Sequence, residues 1–429
     1  MPWTIDPAKR SEDSTFDKNK DTDWCSAKAS KEILGGVTDP VPDRWHGLCL
    51  ERLIQMRNQL RDDYFGMNDV IDIVLSCVIA RENVLLLGPP GNAKSELATR
   101  VFQLLGLEQA KVNEATLAEW TGAKEVAYAD WVNREDQERM QQKYFHYLLS
   151  RFTQPEELFG PIDLSHLRKG LLVRVNFGML TGPGVRGGFI DETFKGSSNI
   201  LNGLLTLSGE RKYFNWGEMR SADLAILIGA SNEMPGGFGS GHYGVGVGQD
   251  DFQTLHAFVD RFPARLIVDV PSATDKPAVE DSGLAQAFQM AIKRETVRFR
   301  TGAPSGFGRP AGMPCINDVL CLGRAMMEDF EEQRGFFGTQ DQRGTFRERF
   351  LGLARSLRSG GTKAETQAVT WTISARKLRA LWKLALAHSL VRAAGGAVRL
   401  LPEHLCVFYS IWDTPAAVGE LKIRVDNYL

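Results

Sequence analysis

The chain has 429 residues, and its 51 lysines and arginines nearly balance its 53 aspartates and glutamates, for a formal net charge of -2. At about 100–200 residues per domain, this length allows two or three domains. The 43% hydrophobic and 24% charged residues exclude a wholly disordered chain, a collagen-like chain and a small disulfide scaffold. The composition also lacks the basic excess that drives nucleic-acid wrapping, and no apolar run is long enough to span a membrane.

The N-terminal residues and the cysteines indicate where the protein works. The first residues lack a basic segment followed by an apolar run, so no signal peptide is expected. The cysteines are scattered and contain no Cys-x-x-Cys pair, which argues against a structural zinc site. We therefore expect reduced, buried thiols and a cytoplasmic location. The six cysteines are Cys25, Cys49, Cys77, Cys315, Cys321 and Cys406.

The predicted elements begin after a polar N-terminal extension, residues 1–42. A helix is predicted from Asp43 to about residue 66, and a second helix begins at Asn68, a good N-cap residue. The apolar run 84–87 predicts a strand covered on both faces. Later apolar runs predict further strands, and helical patterns lie between them. The strands are predicted at 147–149, 188–190, 224–228 and 266–270, and the helices near 198–207 and 251–262.

The alternation of strands and helices ends near residue 271, and only helical patterns follow. We therefore predict an α/β domain over 43–271, built on a parallel sheet flanked by helices, and an all-helical domain over 272–429. A polar insertion near 108–145 and a glycine-rich loop near 236–248 interrupt the first domain. The helices of the second domain are predicted at 277–293, 317–333, 346–358 and 373–393.

A glycine-rich loop, residues 88–95, links the first predicted strand directly to a helix. Such a turn can aim successive backbone N–H groups at phosphates, beside the positive N-terminus of the helix. Lys94 can reach the β- and γ-phosphates, and the Ser95 hydroxyl can hold Mg²⁺. Ala93 replaces the usual glycine, which is tolerable at negative φ and costly at positive φ. The predicted nucleotide contacts are Gly88, Pro89, Pro90, Gly91, Asn92, Ala93, Lys94, Ser95 and Glu96.

Polar residues after two later strands suit the same chemistry. Asp191 and Glu192 end a short strand, where the first carboxylate can help to hold Mg²⁺ and the second can polarise an attacking water. Asn232 follows another strand and can position that water. Each residue alone is as well explained by an ordinary turn, so the prediction depends on their occurring together.

Three arginines extend the set. Arg261 and Arg265 precede the last predicted strand, and a planar guanidinium supplied by a neighbouring subunit can stabilise phosphate charge. Arg376 lies in the first turn of a helix that Ser374 can cap, from where it could reach back to the nucleotide. Surface ion pairs explain each arginine equally well when it is taken alone.

Taken in order, these segments resemble the AAA+ ATPases, and within them the RavA-like branch of the MoxR family, over about residues 45–429. Residues 88–95 match Walker A, and residues 151–161 are similar to the stretch after the second strand of that branch. The tail around 401–413 is similar to the end of the RavA lid. Matches to the remaining motifs are Asp191 and Glu192 for Walker B, Asn232 for sensor 1, Arg261 with Arg265 for the arginine finger, and Arg376 for sensor 2.

The resemblance implies an enzyme that binds and hydrolyses ATP with Mg²⁺ at the subunit junctions of a hexameric ring. It also implies a chaperone-like role, in which client protein complexes are remodelled or matured beside a partner with a von Willebrand factor A domain. Neither a membrane span nor a nucleic-acid partner is expected.

Two other functions remain open from the residues alone. A nucleic-acid motor or clamp-loader-like ATPase would use a basic and aromatic stretch to track a strand. That stretch contains Lys293, Arg294, Arg298, Phe299, Arg300, Phe307 and Arg309. A nucleotide-gated scaffold with little turnover is the other alternative, and the intact Asp191–Glu192 pair argues against it.

Overall fold

The computed structural model describes residues 43–64, 66–110, 142–170, 172–215, 218–232, 257–268, 309–332, 337, 340–359, 373–393, 398–412 and 418–429. The predicted extension 1–42, the interior of the 108–145 insertion, the 236–248 loop, the helix 277–293 and most of the basic stretch lie outside the described residues.

Within the described residues, six parallel strands form one sheet in the order β2-β3-β4-β7-β1-β8, and β5 and β6 form a separate antiparallel hairpin. The strands are β1 (Val84–Leu87), β2 (Glu108–Gln109), β3 (Lys143–Leu148), β4 (Val185–Asp191), β5 (Lys212–Asn215), β6 (Glu218–Ser221), β7 (Ile226–Ser231) and β8 (Ala264–Ile267).

Ten α-helices are defined in the same residues. They are α1 (Asp43–Asp63), α2 (Asn68–Ala80), α3 (Lys94–Leu104), α4 (Pro155–Phe159), α5 (Leu164–Leu167), α6 (Ser198–Glu210), α7 (Ile316–Glu332), α8 (Gln340–Ser359), α9 (Ala375–Val391) and α10 (Val418–Asp426). Thr193–Lys195 and Pro402–Ser410 form 3-10 helices. The predicted parallel sheet flanked by helices, followed by a helical region, is confirmed.

The parallel register brings the ends of three strands to one edge of the sheet. Leu87 at the end of β1 lies beside Ser231 at the end of β7, and β4, which ends at Asp191, pairs with the other side of β7. The glycine-rich loop, the acidic pair and Asn232 all follow these strands. In a parallel sheet the carboxyl ends of the strands form the ligand-binding edge.

Two predicted strands begin earlier than expected. β3 starts at Lys143 rather than 147, and Glu108 of β2 pairs with Lys143, so both ends of the predicted insertion belong to the sheet. β4 starts at Val185 rather than 188, and its first residues were not predicted because two glycines weaken the apolar pattern of the strand. A Cβ on Gly187 would lie 2.7 Å from the ring of Phe102, so this glycine allows α3 to pack closely on the sheet.

The other strands also depart from the prediction. β7 covers 226–231 rather than 224–228, because its small residues Gly229 and Ala230 belong to the strand. β8 begins at Ala264, two residues before the predicted start at 266. The β5–β6 hairpin was not predicted, because its strands are largely polar and exposed and therefore show no buried face.

Helix starts were predicted with mixed success. Ser374 caps α9 as expected, since its hydroxyl accepts a hydrogen bond from the Lys377 N–H at 3.1 Å. The prediction that Asn68 caps α2 is wrong: Met67 occupies the capping position without a side-chain hydrogen bond, and Asn68 is the first helical residue. α8 begins at Gln340 rather than 346.

The helical region packs directly on the first helices. Asp72 on α2 is 1% exposed and accepts hydrogen bonds from Arg61 at 2.6 Å and from Arg392, just after α9, at 3.1 Å. Buried apolar side chains of α2, the sheet, α9 and the second 3-10 helix belong to one continuous core. The described cysteines form no disulfide. None of the described helices combines the length and the apolar character needed to cross a membrane.

Candidate functional site

The glycine-rich loop is pinned between the ends of β7 and β8. Gly88 has φ 154, and a Cβ there would lie 2.1 Å from the carbonyl oxygen of Val268, so no other residue fits without a shift of the backbone. The Gly88 N–H donates to Ser231 at 3.3 Å. The Asn92 side chain donates to the same Val268 carbonyl at 3.0 Å. The loop therefore has a fixed position at the carboxyl edge of the sheet.

Ala93 has φ 55, which is the left-handed conformation that glycine favours. For a residue with a Cβ, this conformation costs roughly 1–2 kcal/mol. The replacement of the usual glycine by Ala93 is therefore energetically costly. Ala93 also makes no side-chain cap to α3, so the first N–H groups of that helix are left without a capping side chain. Such a helix start suits an anion.

Five side chains at the ends of three strands form a hydrogen-bond network beside the loop, in two parts that are joined where the Glu192 N–H donates to Asp191 Oδ1 at 2.9 Å. The Ser95 hydroxyl donates to Asp191 Oδ2 at 2.7 Å. Lys94 Nζ donates to Asn232 Oδ1 at 3.1 Å and to the carbonyl oxygens of Gly88 and Pro89. The Asn232 amide in turn donates to Glu192 Oε1 at 2.5 Å. The structure thus brings together the residues predicted from Walker A, Walker B and sensor 1.

Glu192 also has a strained backbone, with φ 51. The next residue, Thr193, is fully buried, and its hydroxyl contacts the carbonyl oxygens of Ile190 at 2.9 Å and Ala230 at 3.0 Å. Thr193 therefore ties the end of β4 to β7 and fixes the turn that carries Glu192. Thr193 was not predicted as part of the site, since a single threonine after an acidic pair carries no distinguishing pattern.

Burial and charge act in opposite directions on two basic groups near the acidic pair. Burial lowers the pKa of Lys94, while the nearby carboxylates of Asp191 and Glu192 oppose the shift. Burial likewise lowers the pKa of His146 on β3, against the attraction of Asp191. His146 was not predicted as part of the site, and it lies against Phe189 with ring centroids 4.8 Å apart.

A cavity of about 400 Å³ is lined by residues 90–96 together with Asp191, Glu192 and Asn232. This volume falls in the usual range of roughly 300–1,000 Å³ for small-molecule sites. The described residues contain no cluster of three or more His, Cys, Asp or Glu side chains that could hold a metal alone. Mg²⁺ typically uses one or two protein oxygens plus phosphate oxygens. The adjacent Ser95 hydroxyl and Asp191 carboxylate fit that requirement.

Arg261 and Arg376 lie at the opposite edge of the sheet. Asn83, just before β1, donates to the Arg261 carbonyl at 2.8 Å, so Arg261 is at the amino edge. The four residues of β1 separate the two edges by about 13 Å. Arg376 accompanies Arg261, because its Nη1 is 3.6 Å from Asp260 Oδ2. The expectation that Arg376 reaches back to the nucleotide of its own chain is therefore corrected by its position.

The side chain of Arg265, unlike those of Arg261 and Arg376, is not accessible to solvent at this edge of the sheet. It is 1% exposed, and its guanidinium donates to the carbonyl oxygens of Trp412 at 2.5 Å and Val259 at 3.1 Å. Arg265 therefore holds the end of the second 3-10 helix against β8. The prediction of Arg265 as a second arginine for a neighbouring subunit is corrected, because a buried guanidinium cannot leave its own chain.

Arg309, the one member of the basic stretch among the described residues, is also engaged within its own chain. Its guanidinium donates to the carbonyl oxygens of Leu104 and Met313, both at 3.0 Å. The Leu104 contact places a cation at the C-terminal end of α3, where the helix dipole favours it. Arg309 therefore gives no support to a strand-tracking surface.

The strand order, the glycine-rich loop after β1 and the helical region after β8 define the class as the AAA+ ATPase fold. The chain belongs to the MoxR family, since a family model described as the "MoxR domain in the MoxR-vWA-beta-propeller ternary systems" matches residues 51–130 and 121–301.

Two relatives from Methanocaldococcus jannaschii are similar to half of the chain. The uncharacterised protein MJ0079 is 31% identical over 220 residues, which cover 51% of this chain and 44% of that protein. The uncharacterised protein MJ0812 is 31% identical over 217 residues, which cover 50% of this chain and 44% of that protein. The matched region thus spans less than half the length of either relative.

A solved structure from Cytophaga hutchinsonii, provisionally named as an ATPase, is similar over 90% of this chain and 96% of that chain. The TM-score is 0.55 and the sequence identity is 14%, so this similarity concerns the fold.

Proposed function

We propose that the protein hydrolyses ATP with Mg²⁺ at the junctions of a ring and uses the energy to remodel or mature client protein complexes. The observation that carries the proposal is the hydrogen-bond network in which Ser95 donates to Asp191, while Lys94 donates to Asn232 and Asn232 to Glu192. The Glu192 N–H joins the two parts at Asp191. These groups line one cavity beside the helix start that suits a phosphate. Membership of the MoxR family supports the same activity.

Each residue of the network has a distinct role in this proposal. Lys94 neutralises phosphate charge, and its present acceptors, two loop carbonyls and Asn232, hold the ammonium group at the cavity. Ser95 and Asp191 would hold Mg²⁺, which supplies charge neutralisation at the phosphates when bound. Glu192 accepts a hydrogen bond from the attacking water and polarises it. Asn232 donates to Glu192 and thereby fixes the direction of that carboxylate.

The position of Arg261 supports hydrolysis between subunits. Arg261 lies at the amino edge of the sheet, and the cavity lies at the carboxyl edge. A head-to-tail contact would place the amino edge of one subunit against the cavity of the next, and repetition of that contact closes a ring. Arg261, accompanied by Arg376, would then stabilise charge that develops on the neighbour's phosphates. The resemblance to MoxR proteins favours six subunits.

The proposed partner contains a von Willebrand factor A domain, in line with the systems named in the description of the family model. Within the family we propose the RavA-like branch. Residues 151–161 support it, and they include the capping box formed by Gln154 and Glu157 at the start of α4. Capture of partners by a Glu192→Gln variant held with ATP, followed by mass spectrometry, tests this part. Recovery of no such partner, against a Lys94→Ala control, would contradict it.

The activity itself is tested with Glu192→Gln. The amide keeps the size of the side chain but cannot polarise water, so we expect ATP to remain bound while turnover falls by at least about 100-fold. Nucleotide binding by calorimetry and phosphate release measure the two quantities. Glu420→Gln, at an exposed position on α10 where the carboxylate pairs with Arg424, is the control. Unchanged turnover in Glu192→Gln would remove Glu192 from its proposed role.

A further inference from the structure

We propose that Asp260 is a positioning residue that presents Arg261 to the neighbouring subunit and ties it to the start of α9. The inference rests on the proposed function of Arg261 and adds a residue to it. Asp260 immediately precedes Arg261, at the amino edge of the sheet. It is the point at which the arginine segment and the helical region meet through charged groups.

Both carboxylate oxygens of Asp260 face cations. Oδ2 is 3.6 Å from Arg376 Nη1 and 3.9 Å from Arg261 Nη1. Oδ1 is 3.8 Å from Lys377 Nζ, and Lys377 is 1% exposed. Arg376 and Lys377 occupy the first turn of α9, whose start is fixed by the Ser374 cap. One carboxylate therefore joins the arginine segment to a rigid helix end.

The surroundings of Asp260 are strongly basic. A cavity of about 170 Å³ at this edge is lined by seven arginine and lysine side chains and three carboxylates. The other two carboxylates pair elsewhere: Glu82 contacts Lys383, and Glu210 lies 3.9 Å from Lys212. Within the described residues, Asp260 is thus the carboxylate that balances Arg261 and Arg376. Without it, these like charges would repel one another and Arg261 would lose its direction.

Within the part of the chain that the structure describes, few other contacts direct the Arg261 side chain. Its Nε is buried and has no hydrogen-bond partner among the described residues. The side chain passes close to Gly209 of α6, where a Cβ would lie 2.9 Å from that Nε. Packing against Gly209 confines the stem of the side chain, and the ion pair with Asp260 directs the guanidinium.

Asp260→Asn tests the proposal, because it removes the charge and keeps the size of the side chain. We expect the kcat for ATP to fall about tenfold while KM stays unchanged, since misplacement of a catalytic group lowers the rate of the chemical step. Asp260→Glu restores the carboxylate and should recover most of the lost kcat. Glu82→Gln removes a carboxylate from the same cavity that pairs with Lys383, and it should leave kcat unchanged.

The same substitution in an Arg261→Ala background separates the possible outcomes. If Asp260 acts through Arg261, Asp260→Asn causes no further loss there. If Arg261→Ala itself leaves turnover unchanged, the proposed function at the subunit junction fails, and this inference fails with it. If Arg261→Ala lowers turnover and Asp260→Asn does not, the inference alone is overturned. A lowered thermal midpoint in Asp260→Asn, with kcat not recovered by Asp260→Glu, would show a structural role and also overturn it.

Discussion

At the scale of single residues, Ala93 shows a conflict between side chain and backbone at the candidate site. Its φ of 55 is in the left-handed region, where the Cβ of alanine causes strain that glycine would avoid. Ala93 nevertheless leaves the start of α3 without a capping side chain, which suits an anion. Such local strain is common where a backbone must approach a ligand closely.

Ala93→Gly should stabilise the protein slightly. Relief of the left-handed conformation raises the free energy of unfolding by about 1–2 kcal/mol. The greater freedom of glycine in the unfolded chain lowers it by roughly 0.4–1 kcal/mol. We expect a net gain of about 0.5–1 kcal/mol in the free energy of unfolding, with ATP binding retained, as measured by urea denaturation. Ala98→Gly is the control: Ala98 is buried within α3, and the same substitution there should destabilise. A lower stability for Ala93→Gly would contradict the strain.

Lys94→Ala should abolish measurable ATP binding, because both the charge and the reach of the side chain are lost. Calorimetric titration with MgATP checks this, and Lys212→Ala on the exposed hairpin is the control that should bind normally. The fold should persist, since the Lys94 ammonium group contacts loop carbonyls and Asn232 rather than an apolar core. Normal affinity in Lys94→Ala would refute the assignment of the loop.

The predicted site residues lie close together where a motif coincides with the end of a strand. Lys94, Asp191 and Asn232 lie close together because the loop after β1, the last residue of β4 and the residue after β7 are all at the carboxyl edge of the parallel sheet. Arg265 was wrongly predicted, since spacing cannot show that its side chain lies inside the chain against Trp412. Thr193 was missed because its role depends on a carbonyl group of another strand.

At the scale of elements, the most apolar strands were predicted well and the mixed strands were not. β1 is a run of buried leucine and valine that any periodicity analysis finds. β4 contains Gly187, whose missing side chain makes room for Phe102 of α3, so the packing partner explains the sequence. A strand shaped by its neighbour cannot be read from its own residues.

Helix α6 allows a test of Arg261 that leaves every charge in place. Gly209→Ala would place a Cβ 2.9 Å from Arg261 Nε, so the flexible arginine must move. We expect turnover to fall severalfold while ATP binding stays unchanged and stability rises slightly, because alanine favours a helix. The matched control is Gly344→Ala in α8, where nothing lies within 4 Å of the new Cβ. Equal turnover in both variants would show that the position of Arg261 is unimportant.

At the scale of the whole molecule, the candidate nucleotide cavity and the side chains of Arg261 and Arg376 lie at opposite edges of one sheet. The sequence predicted both groups but not their separation. The position of Arg376 depends on how α9 packs against α2, which is a contact between segments about 300 residues apart. The motifs predicted the individual site residues, and packing between distant segments decides which of these residues lie close together within one chain.

Mixing two inactive variants tests the edge-to-edge arrangement. Arg261→Ala subunits keep Glu192, and Glu192→Gln subunits keep Arg261, so a mixed ring contains some complete junctions. With random mixing of equal amounts, about a quarter of the junctions should be complete and turnover should recover accordingly. Phosphate release and sedimentation measure activity and assembly together, with Arg261→Ala mixed with itself as the control. No recovery in mixed rings, or full activity as a monomer, would contradict hydrolysis between subunits.

The buried Arg265 also links distant parts of the chain mechanically. Its guanidinium holds residues 411–412 against β8 by hydrogen bonds to their carbonyl oxygens. Val268 directly follows β8, and its carbonyl oxygen accepts a hydrogen bond from the Asn92 side chain and leaves no room for a Cβ on Gly88. The tail of the helical region and the glycine-rich loop are therefore joined through a single strand of four residues. Truncation of the chain before residue 411 would consequently loosen the proposed phosphate loop, although that loop lies more than three hundred positions upstream.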